Sequence, residues 1–408
     1  MANAFKNTTK VTKYAVIDFE NSLEMAACCD RQADKEFRKV GDTIKVRRPV
    51  RFETESGATI SSVTDIEEGT IDVALDDRHH VSFSVSSQDM TLEIDEFRAR
   101  YVTPAMEELA QKVETTIGES YTNIYNFVGT PGTTPASFLA VANAKKLLDE
   151  TGVPMKLMKD AFYDSEAIIN LADALKGVFP ESISRKAIEN AMIKRLADFK
   201  IYQNQSLPMH TVGVATGTPL VNGAAQNTTY LLSKDTWTQT LATDGWTNSQ
   251  TGILKAGDVF TIAGVNAVNQ RTRASTGNLQ TFVVTADADS GASTGPASLT
   301  ISPPIITSGP YQTVDAAPAD DAVITVKTGT GGSSYRQNLA FNKNAITLAT
   351  APLDVPPGSV ESSQATHKNV SIRTVIFYNG TTDVTTWRFD VLFGVKVQNP
   401  GFAVRTTG

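Results

Sequence analysis

Residues 93–128, EIDEFRARYVTPAMEELAQKVETTIGESYTNIYNFV, predict one long helix in a chain whose other patterns are mainly those of β-strands. Thr103-Pro104 is typical of a helix start, because proline has no N–H to leave unpaired in the first turn. A helix over 103–128 would be roughly 40 Å long at 1.5 Å per residue, so we expect it to organise the fold. Apolar side chains recur along one face at Met106, Leu109, Val113, Ile117, Tyr121, Ile124 and Val128.

The strongest strand pattern lies at the far end of the chain. Residues 370–378 and 383–397 are separated by Asn379-Gly380, a turn signal typical of β-hairpins. Every second residue from Trp387 to Val397 is apolar, so one face of this hairpin must be buried. We expect that face to cover the apolar stripe of the long helix, which would make residues 93–130 and 370–408 one domain.

Two segments near the start of the chain have too few large apolar residues to fold alone. Residues 1–40 combine a polar start with a short amphipathic helix, and we expect an N-terminal arm. Residues 41–92 alternate apolar and polar side chains in three runs, with Asp76–His80 as a charged turn before the third. This pattern predicts an extended β-hairpin that needs support from another part of the chain or from another chain.

A change in composition separates the middle of the chain into further domains. Apart from Glu361, every glutamate lies before residue 190, and glutamate favours helices over strands. Residues 213–332 are rich in Thr, Ser, Gly and Asn, and their short strand signals predict an inserted small β-barrel. We expect residues 131–212 and 333–369 to form one α+β domain, with helical spacing at 141–148, 164–175 and 184–196.

The charge balance argues against a dedicated nucleic-acid-binding protein. The 408 residues carry 37 basic and 44 acidic side chains, whereas phosphate contacts need clustered Lys and Arg. Lys45–Arg48 with Arg51 is the one short basic run, and it lies in a strand pattern. Two interpretations stay open for this run: a strand that is solvated, ion-paired or directed at another subunit, or a contact with nucleic acid.

No residue pattern points to catalysis, a cofactor or a metal. None of the four histidines lies in a nucleophile motif, and no phosphate-binding or dinucleotide-binding glycine loop is present. His79-His80 are adjacent, so their side chains point to opposite faces of a strand. Asp287–Gly291 resembles the start of a calcium loop but lacks the third carboxylate and the closing glutamate. We therefore expect no enzymatic activity, no cofactor and no metal site.

Targeting signals are also missing from the sequence. No export signal and no run of 18 apolar residues is present, so we expect no membrane association. Cys28-Cys29 are the only cysteines, too few for a disulfide framework, which fits a reducing compartment.

The order of arm, projecting hairpin, long helix, α+β lobe and returning sheet resembles the major capsid protein of tailed bacteriophages. The inserted β-domain makes the chain similar to the coat protein of the Salmonella short-tailed phage group. Three short motifs carry this resemblance: RLADF (195–199) with QSLPMHT (205–211) before the insertion, GDVFTIAGV (257–265) within it, and QNLAFNK (337–343) after it.

The resemblance implies a structural virion protein, a major capsid (coat) subunit that self-assembles into an icosahedral phage head enclosing double-stranded DNA. Its copies would form pentamers and hexamers. Its partners would be a scaffolding protein, a portal protein and packaged DNA contacted without sequence recognition. Assembly would take place in the cytoplasm of the host bacterium, and the protein would end in the virion capsid.

In the capsid fold implied by this resemblance, 41–92 is the extended hairpin loop, 93–130 with 370–408 the peripheral domain, and 131–212 with 333–369 the axial domain. We expect the hairpin to lie across the long helix of an adjacent subunit, because its apolar alternation is thin. The predicted subunit-interface residues are Ile44, Val46, Arg47, Arg48, Arg51, Ile71 and Val73 on the hairpin, and Glu107, Glu108 and Glu114 on the helix.

Three other functions compete with this interpretation. A carbohydrate-binding or adhesin-like virion component is suggested by Tyr230, Trp237 and Trp246 in the Thr- and Ser-rich β-region. A hydrolase has no positive support in the sequence. The shell protein of a bacterial nanocompartment would share the capsid architecture, but the inserted domain argues against it.

Overall fold

The computed structural model describes residues 8–31, 43–53, 66–86, 97–155, 157–175, 193, 195–356, 359–368, 370–382 and 384–407. The chain divides into two compact units. Unit 1 comprises Met1–Val46, Asp72–Ile117 and Ile346–Lys396, and unit 2 comprises Arg47–Ile71, Gly118–Ala345 and Val397–Gly408. Among the described residues, no helix is both long enough and apolar enough to cross a membrane.

The helices are α1 (Thr8–Asn21), α2 (Met25–Cys28), α3 (Thr103–Glu119), α4 (Phe138–Glu150), α5 (Ser165–Leu175) and α6 (Tyr230–Ser233). The strands are β1 (Thr43–Arg47), β2 (Thr70–Ala74), β3 (Asp77–Ser86), β4 (Phe127–Val128), β5 (Lys159–Tyr163), β6 (Arg195–Leu196), β7 (Phe199–Gln203), β8 (Met209–Thr211), β9 (Gly217–Val221), β10 (Gln239–Trp246), β11 (Val259–Val268), β12 (Ser275–Val284), β13 (Ala297–Ser302), β14 (Ile324–Val326), β15 (Ser334–Arg336), β16 (Asn338–Asn342), β17 (Ile346–Thr350), β18 (Glu361–His367), β19 (Val370–Asn379), β20 (Val384–Val397) and β21 (Ala403–Thr406).

Unit 1 is built on a five-stranded sheet in which β20 is the central strand. The order is β17-β20-β19-β18, and β3 also pairs antiparallel with β20. Asn379 lies opposite Val384, so the predicted hairpin at the end of the chain is confirmed. On the face predicted to be buried, Trp387, Phe389 and Phe393 are buried.

Aromatic rings join the start of the long helix to this sheet. The ring of Phe97 lies 5.2 Å from that of Trp387, and the ring of Tyr101 lies 5.8 Å from that of Phe83. These contacts join β20 and β3 to the π-helical start of the long helix, before the apolar stripe that begins at Met106. That the sheet covers the stripe itself stays a prediction. Helix α1 packs on β18 and β19, where the Thr12 hydroxyl donates a hydrogen bond to the Thr374 hydroxyl at 2.8 Å.

The long helix matches the prediction at the start of its regular α-helical part. Residues 93–96 lie outside the described residues, and a π-helical turn, Arg98–Val102, leads directly into α3. The Thr103 N–H reaches the carbonyl of Arg98, five residues back. The regular α-helix α3 therefore begins at Thr103-Pro104 as predicted, and the wider π-helical turn before it accommodates a proline that would clash inside a regular α-helix.

The helix ends earlier than residue 128. A 3₁₀ turn, Ser120–Asn123, closes it, and β4 pairs in parallel with β21. The side chain of Asn126 donates hydrogen bonds to the carbonyls of Gly401 and Ala403, which fixes this stretch in an extended form. Helical spacing at Ile124 and Val128 is therefore overridden by pairing with the end of the chain.

The three strand runs of 41–92 do not form a single hairpin. Strands β1 and β2 form a two-stranded sheet, but β3 pairs with β20 instead. Asp77–His80 belongs to β3, so the predicted charged turn is wrong apart from the break at Leu75-Asp76. The expectation failed because the partner of β3 is some 300 residues away in sequence. Residues 54–65 and 87–92 lie outside the described residues.

Unit 2 contains a six-stranded sheet in the order β4-β21-β16-β5-β7-β6, next to helices α4 and α5. Ser137 caps α4 by accepting a hydrogen bond from the Ala140 N–H, and α4 ends before Gly152, whose φ is +84°. The helix predicted over 184–196 is wrong at its end, because Arg195 and Leu196 form β6 and pair with β7. Residues 176–192 lie outside the described residues.

The insertion is a closed barrel of six antiparallel strands. Its order is β14-β11-β12-β13-β10-β9, and a bridge between Leu220 and Val323 closes the circle. The core holds buried aliphatic and aromatic side chains from the six strands and their loops, including Phe260, Phe282 and Trp246. At Gly213 a Cβ would lie 2.6 Å from the Ile253 carbonyl, so the chain can enter the barrel there only as glycine. The α+β fold class with an inserted β-barrel is confirmed.

Candidate subunit interface

The apolar residues predicted for the interface are already packed within their own chain. Ile44 and Val73 form a small core with Ala349, and Val46 packs against its edge. Ile71 is buried as well. The sequence predicted that these side chains need a neighbouring subunit, whereas the single chain covers them.

The basic residues after β1 occupy two different surroundings. Arg47 is 76% exposed and forms a 3.0 Å ion pair with Glu68, a contact that contributes little in water. Arg48 and Arg51 instead lie on aromatic rings: the Arg48 guanidinium is 5.5 Å from the centre of Trp237, and that of Arg51 is 5.7 Å from the centre of Tyr311.

Burial lowers the pKa of both stacked arginines. The pKa of Arg48 falls to about 10 because the side chain leaves water. The pKa of Arg51 is lowered first by burial and further by the nearby charge of Arg273, against the attraction of surrounding tyrosines. Both arginines belong to the basic run of the sequence, but no local pattern points to their partners, which come from the insertion.

The three helix glutamates also separate into two groups. Glu107 and Glu108 are exposed on α3, as predicted. Glu114, which was predicted for the subunit interface with them, is instead buried within its own chain. Its carboxylate accepts hydrogen bonds from the backbone N–H groups of Glu24, Met25 and Ala26, at 2.9 to 3.0 Å. These donors open α2 and have no partner inside that helix, so Glu114 ties the N-terminal segment to α3.

Asp390 is a buried acidic residue of β20 that lies between the alternating apolar positions Phe389 and Val391. Its carboxylate contacts Arg373 Nη2 at 2.7 Å, Arg388 Nη2 at 2.9 Å and Arg78 Nη2 at 3.5 Å. Three strands supply these arginines, which compensate a charge removed from water. Strict alternation in the sequence gave no sign that this second face is also covered.

Asp258 is a second buried acid, at the turn before β11. Its carboxylate receives hydrogen bonds from His210 Nε2 (2.9 Å), the Thr328 hydroxyl (2.7 Å) and the backbone N–H groups of Gly213 (2.9 Å) and Lys255 (2.7 Å). Burial acts to raise the pKa of Asp258, but these four hydrogen bonds outweigh it and hold the pKa below its usual value. The Tyr121 hydroxyl lies 3.1 Å from His210 Nδ1.

This Tyr-His-Asp arrangement fastens the barrel to its surroundings within unit 2. His210 belongs to β8, which pairs with β15, and Tyr121 closes the long helix. All three side chains are buried. The arrangement therefore acts as a structural joint at the entrance to the insertion.

The remaining candidates of the sequence have plain structural positions. His79 lies on β3 with its ring 5.7 Å from that of Phe393. Asp287 and Asp289 accept hydrogen bonds from the backbone N–H groups of Ala256 and Gly252. Within the described residues, no group of three or more His, Cys, Asp or Glu side chains could hold a metal ion.

The sequence matches known proteins over its whole length. The model of the family described as "P22 coat protein - gene protein 5" matches residues 1–408. The chain is 26% identical over 420 residues to the "Major capsid protein" of Acyrthosiphon pisum secondary endosymbiont phage 1, covering 98% of each protein.

Solved structures give more distant likenesses. The capsid of Cyanophage Pam1 has a TM-score of 0.45 and 11% identity, covering 96% of this chain and 92% of that one. The coat protein I-domain of CUS-3 is 32% identical with a TM-score of 0.19, covering 28% of this chain and 97% of that domain.

Proposed function

Because the chain belongs to the P22 coat protein family, and is thus a major capsid protein of a tailed phage, we propose that its copies meet through oppositely charged surfaces of β1 and α3. It is the structural coat subunit of the phage head, and many copies build the shell. The full-length family match carries this conclusion.

Exposed charges on β1 and α3 support the proposed contact. Arg47, Glu107 and Glu108 of the predicted interface set are exposed, and so is Lys45, which lies beside Arg47 on β1 but was not in that set. Opposite charges on two surfaces of one chain suit a contact between copies, because each copy offers both halves. The apolar members, Ile44 and Val73, hold β1 and β2 in place within the subunit.

The first experiment tests assembly itself. Purified full-length protein is viewed by negative-stain electron microscopy, and closed particles or polyheads are expected. Monodisperse single chains under all assembly conditions, with or without a co-expressed scaffolding protein, would contradict the proposal.

The second experiment tests the proposed contact. Glu107→Lys with Glu108→Lys places like charges opposite Lys45 and Arg47, so the yield of closed particles should fall strongly. Adding Lys45→Glu and Arg47→Glu restores the opposite pairing and should recover particles. Glu166→Lys, an equally exposed glutamate on α5, is the matched control and should assemble normally. Normal assembly of the first double variant would rule out this interface.

We also propose pentamers and hexamers, a scaffolding protein, a portal protein and assembly in the host bacterial cytoplasm, on the family resemblance. The formal net charge of −7 fits a shell that encloses DNA without reading its sequence. An acidic chain repels phosphate except at local basic patches, so extensive contacts with DNA are not expected. Cross-linking of DNA in filled particles should then recover coat contacts spread evenly over the genome.

The structure gives no support to the carbohydrate-binding alternative. Trp246 lies in the barrel core and donates a hydrogen bond from Nε1 to the Thr243 hydroxyl at 2.9 Å. Trp237 is buried beside Ile306 and Tyr311. Neither ring is free to act as an exposed sugar platform.

A further inference from the structure

Unit 2 contains a cavity of ≈ 540 Å³ with an unusual concentration of arginine. Its wall includes Arg48, Arg51, Arg271 and Arg273, and no acidic side chain is among the described residues that line it. The other lining side chains are mainly aromatic or small. Four guanidinium groups around one cavity repel one another, as the lowered pKa of Arg51 beside Arg273 reflects after the larger effect of burial.

Only part of this positive charge is compensated. Glu53 forms a 2.8 Å ion pair with Arg273 Nη1, and the negative charge of Asp235 also acts on Arg48. Arg271 Nη2 donates to the carbonyl of Gly152 at 3.3 Å, which is a neutral partner. Within the described part of the chain, two carboxylates against four arginines leave a surplus of two positive charges.

Several donors of the same arginines are buried without a partner. Among the described residues, Arg48 Nε, Arg51 Nη1 and Arg273 Nε are shielded from solvent and make no hydrogen bond. An unpaired buried donor costs about 1 to 3 kcal/mol, and more when it is charged. Three such atoms at one cavity indicate acceptors that the chain itself does not supply.

We propose that this cavity binds a phosphate-type oxyanion. A phosphate dianion matches the surplus of two positive charges and offers several acceptor oxygens, whereas a single carboxylate would leave half of that surplus. Guanidinium groups suit this ligand because their planar fork matches phosphate geometry. The cavity is ample for one phosphoryl group with its waters.

The aromatic side chains of the cavity favour binding of a charged group over stacking on a nucleic-acid base. Arg48 lies over Trp237 and Arg51 over Tyr311, while Tyr230 stacks on Tyr311 with ring centres 3.5 Å apart. The rings thus hold the guanidiniums and one another. The bound group can be free phosphate or a phosphoryl group of a nucleic acid strand, since both present the same oxygens.

The test uses unassembled full-length protein and inorganic phosphate in isothermal titration calorimetry at constant ionic strength. One saturable site per chain is expected. Arg48→Gln and Arg51→Gln should each weaken binding about tenfold to a hundredfold, the range for a charged hydrogen bond. Arg195→Gln, which changes an exposed arginine of β6 outside the cavity, should bind as the unchanged protein does.

A further variant separates binding from folding. Arg51→Lys keeps the charge but loses the fork, so it should fold normally and bind phosphate with intermediate affinity. A short single-stranded oligonucleotide that displaces phosphate would identify nucleic acid as the source, and failure to displace it would identify the free anion. No saturable phosphate binding, or binding unchanged in both glutamine variants, would overturn the proposal.

Discussion

The two buried aspartates, one in each unit, are stabilised by different chemistry. Asp390 lies in the unit 1 sheet and is held by three arginines from three strands. Asp258 lies at the barrel entrance and is held by an imidazole, a hydroxyl and two backbone N–H groups. In the first case removal of the acid leaves buried positive charge, and in the second it leaves mainly neutral donors unpaired. The two sites should therefore respond to mutation with different magnitude.

The largest effect is expected for Asp390→Ala. Arg373 is nearly buried and loses its only acidic partner among the described residues, so unit 1 should lose about 3 to 5 kcal/mol of stability. Hydrogen exchange with mass spectrometry measures the two units separately. Amides of β19 and β20 should exchange much faster, while those of β10 to β13 should not change.

The control for this variant uses a more exposed member of the cluster. Arg78 is the most distant arginine, and its side chain is 46% exposed, so Arg78→Gln should cost far less. Equal loss of protection in both variants would show that the cluster does not act through buried charge.

A smaller effect is expected for Asp258→Asn. The amide keeps one acceptor oxygen but turns an NH₂ group toward former donors, which should cost unit 2 about 2 to 3 kcal/mol. Here the amides of β11 and the Gly213 region should lose protection, while β19 and β20 stay protected. Loosening of the unit 1 sheet instead would contradict the assignment of Asp258 to the barrel joint.

The pH dependence of this second effect has a defined sign. The folded pKa of Asp258 is depressed, so its contribution is fully present above the unfolded value of ~3.9 and is lost as pH falls through the folded pKa. The stability difference between the unchanged protein and Asp258→Asn should be constant near neutral pH and shrink below about pH 4. Urea unfolding followed at several pH values measures it, and a gap that widens on acidification would disprove the depressed pKa.

The contrast between the two acids also shows what the sequence could predict. Periodicity predicted the long helix, the hairpin of β19 and β20, and the barrel, because each is encoded by neighbouring residues. It missed Asp390 because alternation describes one strand, whereas the three arginines lie at 78, 373 and 388. Glu114 was misplaced for the same reason, since its partners at 24–26 belong to another helix.

In the candidate sites too, only features encoded by neighbouring residues could be predicted from the sequence. Arg48 and Arg51 were singled out from a basic run, but the aromatic rings that hold them come from the insertion, more than 180 residues later. No local pattern links these segments. The positions of charge were thus predictable, whereas the cavity that collects it depends on long-range packing.

The smallest expected effect concerns the barrel when it is separated from the rest of the chain. The core of the barrel lies between Val221 and Ile324, so residues 213–332 expressed alone should fold and give a dispersed NMR spectrum. A longer piece, 207–337, adds the paired strands β8 and β15 and returns His210 to Asp258. It should unfold at a higher urea concentration, with a gain of about 1 to 3 kcal/mol.

In the longer piece, His210→Phe is the control, because it keeps a ring at that position but cannot donate to Asp258. It should remove most of the gain while the β8-β15 pair stays intact. If both pieces were equally stable, the joint around Asp258 would rest on its backbone N–H groups and Thr328 alone. If 213–332 were disordered, the barrel would depend on unit 2 as a whole, as the sheet of unit 1 depends on strands that are distant in sequence.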